Sequence, residues 1–169
     1  MAFAHRLKAI LDMAATLAVL AAAGVVLYSG TLGRVPTSGG APAVYKPGDR
    51  FENIPGLTLS NSGPTLVMWV QSRCHFCTES MPFYKTLMAE HARARIVVIG
   101  VEPVDVLQKY LSDHMLIPDQ IVSVPQRSVK LAGTPTLVLV GADGVVRSVW
   151  PGKLPDAAAE VEVRRRVAL

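Results

Sequence analysis

"SRCHFCTESMPFY", residues 72–84, contains both cysteines of the chain, Cys74 and Cys77, two residues apart. Such a pair is a redox couple, half of a metal site or a small structural clip. The ring closed by a CxxC bridge is too small to constrain the unfolded chain much, so a clip adds little stability. A structural zinc site needs four ligands. The histidines are His5, His75, His91 and His114, and His91 and His114 lack the H-x₃₋₅-H spacing of a zinc pair. A copper chaperone using Cys74, Cys77 and a histidine stands as the alternative outside enzymes. The residues after the pair read as a helix. Cys77, Met81, Tyr84 and Met88 recur at helical spacing, with Phe83 and Leu87 beside them.

Immediately before the pair, "TLVMWV" (65–70) is a continuous apolar run, the pattern of a strand buried on both faces. "RIVVIGV" (95–101) is a second such run. Two buried strands joined by a helix make a βαβ unit with parallel strands and a right-handed crossover. "VDVLQKYLSDH" (104–114) reads as another helix. "TLVLV" (136–140) and "VVRSVW" (145–150) flank Gly141-Ala142-Asp143-Gly144, a hairpin with Asp-Gly in its turn. "DAAAEVEVRRRVA", after Pro155, reads as a closing helix. The expectation is an α/β domain over 48–169, a mixed central sheet with helices on both faces. No internal repeat interrupts it.

Upstream the chain changes character. His5, Arg6 and Lys8 precede a nearly unbroken apolar stretch, Ala9 to Tyr28, broken only by Asp12 and Thr16. Its length is about the twenty residues that span hydrocarbon. Residues 1–30 are thus expected to be a single transmembrane anchor. The basic residues keep its start cytoplasmic and send the remainder outside. A cleaved signal segment is the competing reading, since "LAAAG" (20–24) offers small residues of the cleavage type. Either reading exports the domain to the periplasm or another extracytoplasmic space. Residues 31–47 are rich in Gly, Pro, Ser and Thr and read as a flexible linker of roughly 20 Å span. The 17 basic and 13 acidic residues leave a charge of +4 without long basic runs apart from Arg164–Arg166. That pattern is not the footprint of a nucleic-acid binder.

The element order, with a CxxC opening the first helix and Thr134-Pro135 before the hairpin, resembles the thioredoxin fold. It is most similar to the membrane-tethered, periplasm-facing thiol–disulfide oxidoreductases of the TlpA type. The residues that carry the likeness are "YKPGD" (45–49), "TLVMWV", Cys74, Cys77, Met81-Pro82, "GTPT" (133–136) and "GADGVV" (141–146). The resemblance implies a redox-active Cys74–Cys77 disulfide with no further cofactor and a client protein bearing thiols or a disulfide. It also implies a transmembrane electron donor. Reduction of the client is slightly favoured over disulfide formation, with cytochrome c or cofactor maturation as the family-level setting. It implies a cis peptide at Pro135 and contact of Thr134 with client backbone. The chain departs from the family pattern at four places. No proline lies between the cysteines, and Arg73 replaces a common tryptophan. Met68 stands where thioredoxin has a buried Asp. Ser80 stands where relatives often carry Glu, which leaves Glu79, one step earlier, as the candidate proton acceptor.

Exchange needs a thiolate, and a free cysteine titrates near 8.5. At a helix N-terminus Cys74 meets unpaired N–H groups and the positive end of the macrodipole. Arg73, and His75 when protonated, are expected to lower its pKa further. Cys74 is therefore assigned as the nucleophile and Cys77, one turn inward, as the resolving thiol. Stabilising the thiolate also makes the disulfide more oxidising, which opposes the reductant role. Phe76 is expected either to offer an apolar patch to a client or to pack under the motif. His91 and His114 read as surface helix residues, Trp69 and Trp150 as core.

Overall fold

The computed structural model describes residues 44–90 and 94–168. The N-terminal span at 1–30, the linker up to residue 43 and His91 lie outside the described residues. Among the described residues no helix is long and apolar enough to cross a membrane.

Five strands form one sheet in the order β3-β2-β1-β4-β5. They are β1 (Thr65–Trp69), β2 (Arg95–Gly100), β3 (Gln120–Ser123), β4 (Thr136–Val140) and β5 (Val146–Pro151). β1 runs parallel to β2, and β2 parallel to β3; β4 pairs antiparallel with both β1 and β5. All five residues of β1 are buried, as the apolar run predicts for a central strand. Gly144, at φ +75°, closes the β4–β5 hairpin in the left-handed region that glycine adopts freely.

β3 is an element the apolar pattern does not announce. Only Val122 of its four residues is buried, and the strand lies at the sheet edge. It has neither a continuous run nor a useful alternation.

Among the described residues three α-helices accompany the sheet, α1 (His75–Glu90), α2 (Val104–Asp113) and α3 (Ala157–Ala168), together with a short 3-10 helix, Gln126–Ser128. The expectation of helices on both faces holds: α1, α2 and α3 lie on one face, and the short 3-10 helix Gln126–Ser128 lies between Val124 and Val129 of the other. The crossovers β1-α1-β2 and β2-α2-β3 step in the same direction along the sheet. Right-handed connections that step the same way put both helices on the same face. Leu66, Met68, Ile96, Val98, Leu137 and Leu139 point to that face, where Met81, Leu87, Leu111, Val163 and Val167 of the three helices meet them. The alternate residues, Val67, Trp69, Val97, Ile99, Val138 and Val140, point the other way. There Tyr45, Phe51, Ile54, Val124, Val129 and Leu131 cover them, all from segments outside α1–α3.

That cover explains the "YKPGD" stretch. Tyr45 is only 2 % exposed, stacks on Phe51 at 4.9 Å and donates its N–H to Lys130 O at 3.1 Å. The Asp49 carboxylate accepts the Lys46 N–H at 2.8 Å, closing a turn with Gly48 at φ +96°. The packed body thus reaches back to Tyr45, inside the stretch assigned to the linker.

Gly100, at the end of β2, matters for the site. A Cβ there would lie 2.8 Å from the Val70 carbonyl oxygen and 2.9 Å from Leu107. Only glycine lets the end of β1 and helix α2 approach β2 this closely.

Candidate active site

Cys74 occupies the N-cap of α1. Its sulfur accepts the Cys77 backbone N–H at 3.2 Å, and its carbonyl oxygen accepts the Thr78 N–H at 3.1 Å. A thiolate suits this position as a cap oxygen would, because the first turn of a helix has unpaired donors. Both cysteines are free thiols in this structure. Cys74 is partly exposed, whereas Cys77 is 0 % exposed among Met68, Met81 and Tyr84.

Across from the cap lies Thr134-Pro135, joined by a cis peptide bond. The Cys74 sulfur approaches Thr134 O at 3.4 Å. The loop is pinned from both ends: the Thr136 hydroxyl donates to Gly133 O at 2.7 Å, and the Gly152 N–H donates to Pro135 O at 2.7 Å. The structure therefore brings the two parts of the sequence pattern together across sixty residues.

Two sulfurs one turn apart have opposite acidities. Partial burial pushes the Cys74 thiol up. Hydrogen bonds from the Cys77 thiol, the Thr134 side chain and the backbone N–H groups of Cys77 and Phe76 outweigh it, so Cys74 lies below the ordinary thiol value. Burial, followed by the bond to Cys74, pushes Cys77 up to about 12. The pair holds one proton tightly, and the charge resides on Cys74.

The charged residues around the pair take other partners. His75 is exposed, its Nε2 3.1 Å from Glu79 Oε1. Glu79 also accepts from Lys153 Nζ at 2.8 Å, and that ion pair holds its carboxyl below the usual range. Glu79 is thus on the outer rim, bound to Lys153 and His75, with no hydrogen bond to Cys77 among the described residues. Arg73 is exposed and makes no ion pair among the described residues. The lowering of Cys74 expected from Arg73 and His75 comes chiefly from hydrogen bonds. Phe76 is 56 % exposed beside Cys74. Among the described residues no group of three or more His, Cys, Asp or Glu side chains could hold a metal ion.

Several contacts at the site were not singled out by sequence reasoning. The Ser80 hydroxyl donates to Phe76 O at 2.8 Å, bonding back into its own helix. Tyr84 is almost wholly buried beneath it, and burial raises its phenol. Thr78 and Tyr110 hydroxyls meet at 3.1 Å, tying α1 to α2. Glu102 accepts twice from Ser72, two residues before Cys74. One signal was available for Glu102: it follows the carboxyl end of a parallel strand, where α/β sheets place functional side chains.

No family model matches the chain, and no curated protein matches it in sequence. Solved structures do. A protein from Chlorobium tepidum assigned as the thiol:disulfide interchange protein DsbE aligns over 73 % of this chain and 97 % of its own, with TM-score 0.59 and 18 % identity. StoA from Bacillus subtilis aligns over 73 % of this chain and 98 % of its own, with TM-score 0.52 and 16 % identity. A secreted disulfide oxidoreductase from Mycobacterium tuberculosis, homologous to DsbE of Escherichia coli, aligns over 63 % and 81 %, with TM-score 0.50 and 22 % identity. At these identities the likeness is one of fold. The described domain has the thioredoxin-like fold that the CxxC and Thr-Pro pattern indicated.

Proposed function

We propose that the chain is a thiol–disulfide oxidoreductase of the TlpA type that acts on exported proteins. The observation that carries this reading is the asymmetry of the cysteine pair. A partly exposed, acid-shifted thiol faces the Thr134-Pro135 loop, and a buried, strongly protonated thiol waits one turn behind it. The thiol–disulfide roles named for its fold neighbours support it.

The steps follow from the two environments. The Cys74 thiolate attacks one sulfur of a client disulfide, forming a Cys74–client disulfide and releasing the other client sulfur as a thiolate. Cys77 then loses its proton and attacks the Cys74 sulfur. The second client thiol leaves, and a Cys74–Cys77 disulfide remains. Two electrons pass from the dithiol to the client, and an external dithiol must return them. Exposed Phe76 offers apolar surface to the client beside the nucleophile, and the Thr134 backbone stands next to it for pairing with an extended chain.

Reduction is the favoured direction, with cytochrome c or another cofactor assembly as the setting. The N-terminal segment would hold the domain at the outer side of the cytoplasmic membrane, within reach of a transmembrane electron donor. Insulin reduction and a redox titration of the full-length chain in detergent test these points. A potential near or below about −250 mV supports a reductant, and one near about −120 mV makes the protein a disulfide former. No disulfide turnover, combined with tight stoichiometric Cu(I) binding, would transfer the chain to the metal-delivery class.

A further inference from the structure

The resolving half of the exchange raises a problem that the cysteines do not answer. Cys77 must become a thiolate in a buried, apolar place. The titratable groups facing it are Cys74 and Tyr84 from α1 and Tyr110 from α2. None is a carboxylate, and Glu79 is turned outward to Lys153 and His75. Two groups favour a charge on Cys77, the backbone N–H of Gln71 and, less strongly, the Thr134 side chain.

Gln71 belongs to a tight turn. Its carbonyl oxygen accepts the Cys74 N–H at 3.2 Å, so the turn both delivers Cys74 to the helix and aims its own amide inward. The turn is held from outside by one side chain, Glu102, thirty residues away. The Ser72 backbone N–H donates to Glu102 Oε2 at 2.7 Å, and the Ser72 hydroxyl donates to Oε1 at 2.5 Å. Bonds to a charged acceptor are short and strong, and two together fix orientation as well as distance. Gly100 makes the arrangement reachable, because it lets the end of β1 lie against the end of β2.

We propose that Glu102 is a positioning residue for the resolving step: by clamping Ser72 it holds the Gln71 amide against the Cys77 sulfur. The proposal rests on the oxidoreductase reading and names the residue that makes its second half work. Glu102 touches neither client nor sulfur and exchanges no proton. It prepares the donor that stabilises the Cys77 thiolate as it forms.

The experiment is a single-turnover reaction of the reduced full-length protein with the aromatic disulfide DTNB. The first thionitrobenzoate released reports attack by Cys74, and the second reports attack by Cys77 on the Cys74 mixed disulfide. In Glu102→Ala the second phase is expected to slow about tenfold, with its pH profile moved to higher pH, while the first changes less than about twofold. Glu102→Gln should stay within about threefold of wild type, because its carbonyl accepts the Ser72 N–H and its amide donates to the Ser72 oxygen. An unchanged second phase in Glu102→Ala would overturn the proposal. So would a Gln variant as slow as the Ala variant, which would make Glu102 a charge or a base. Equal slowing of both phases with a lowered melting temperature would reduce Glu102 to a structural residue. A wild type that never releases the second thionitrobenzoate would sink the oxidoreductase reading itself.

Discussion

The rim and the floor of this site, one helical turn apart, treat charge in opposite ways. The rim carries Arg73, His75, Glu79 and Lys153, all exposed, around a partly exposed Cys74. The floor carries Cys77 among Met68, Met81 and Tyr84, with no ion pair among the described residues. One would expect the charged rim to set the acidity of the nucleophile. Geometry argues otherwise: short-range hydrogen bonds at the helix cap lower Cys74, while His75 and Lys153 are occupied by Glu79. Exposed charges are screened by solvent, and directed N–H groups are not displaced so easily. At a helix start, what the sulfur accepts matters more than which charges are adjacent in sequence.

The largest contrast should appear in alkylation of the reduced protein. At pH 7 Cys74 should react at least about 10³-fold faster than Cys77, since about three pH units separate Cys77 from an ordinary thiol. Equal labelling by mass spectrometry would break the rim–floor distinction. The stability of the dithiol form follows with a definite sign. Cys77 rises from an ordinary value of 9.0 to about 12 in the fold. Between those values the folded protein keeps a proton that the unfolded chain has lost, so stability falls as pH rises across the window. The lowered Cys74 contributes in the opposite sense: its stabilisation is full above pH 9.0 and disappears as pH falls through its lowered value. Urea melts of the wild type and Cys77→Ala between pH 8 and about 11 should differ in slope, the variant losing less stability with rising pH.

Next in size, Cys74→Ser should abolish insulin reduction, a loss of about 10³-fold or more, and Cys77→Ala should lower turnover about 10²-fold. Only Cys77→Ala should accumulate client mixed disulfides on non-reducing gels. Their appearance in Cys74→Ser would invert the assigned roles. Phe76→Ser is expected to raise the apparent KM for a protein client by about threefold, with DTNB rates unchanged. A parallel loss with DTNB would mean that Phe76 packs the motif rather than meeting the client. Smallest of all, Glu79→Gln should change the rate by less than about twofold. A tenfold loss would restore Glu79 as the proton acceptor and erase the division between rim and floor.

Much of this was legible along the chain. β1, β2 and β4 announce themselves as apolar runs, because a strand buried on both faces has no polar side to show. The helix after the cysteines is legible from Cys77, Met81 and Tyr84, all buried as their spacing requires. The linker limit was less well placed, since Tyr45 looks like a lone aromatic in a Gly- and Pro-rich tether until its ring meets Phe51. β3 was not legible, because an edge strand of four residues has one buried side chain and borrows its conformation from β2. That α1 and α2 share one face was derivable in principle. It depends on where β3 docks, and a missing strand leaves the direction of the second crossover undetermined.

By itself the sequence determined the strand–CxxC–helix unit, the Thr-Pro before the hairpin and the pair of sulfurs to which the proposed chemistry is assigned. These are local patterns, written in spacing and in periodic burial. Tertiary structure decided that Thr134 meets the Cys74 sulfur, where Glu79 points, and that Glu102 reaches Ser72. Those outcomes depend on hydrogen bonds between residues thirty to seventy-four positions apart. The chain cannot display such partners until the sheet has placed the ends of β1, β2 and β4 side by side.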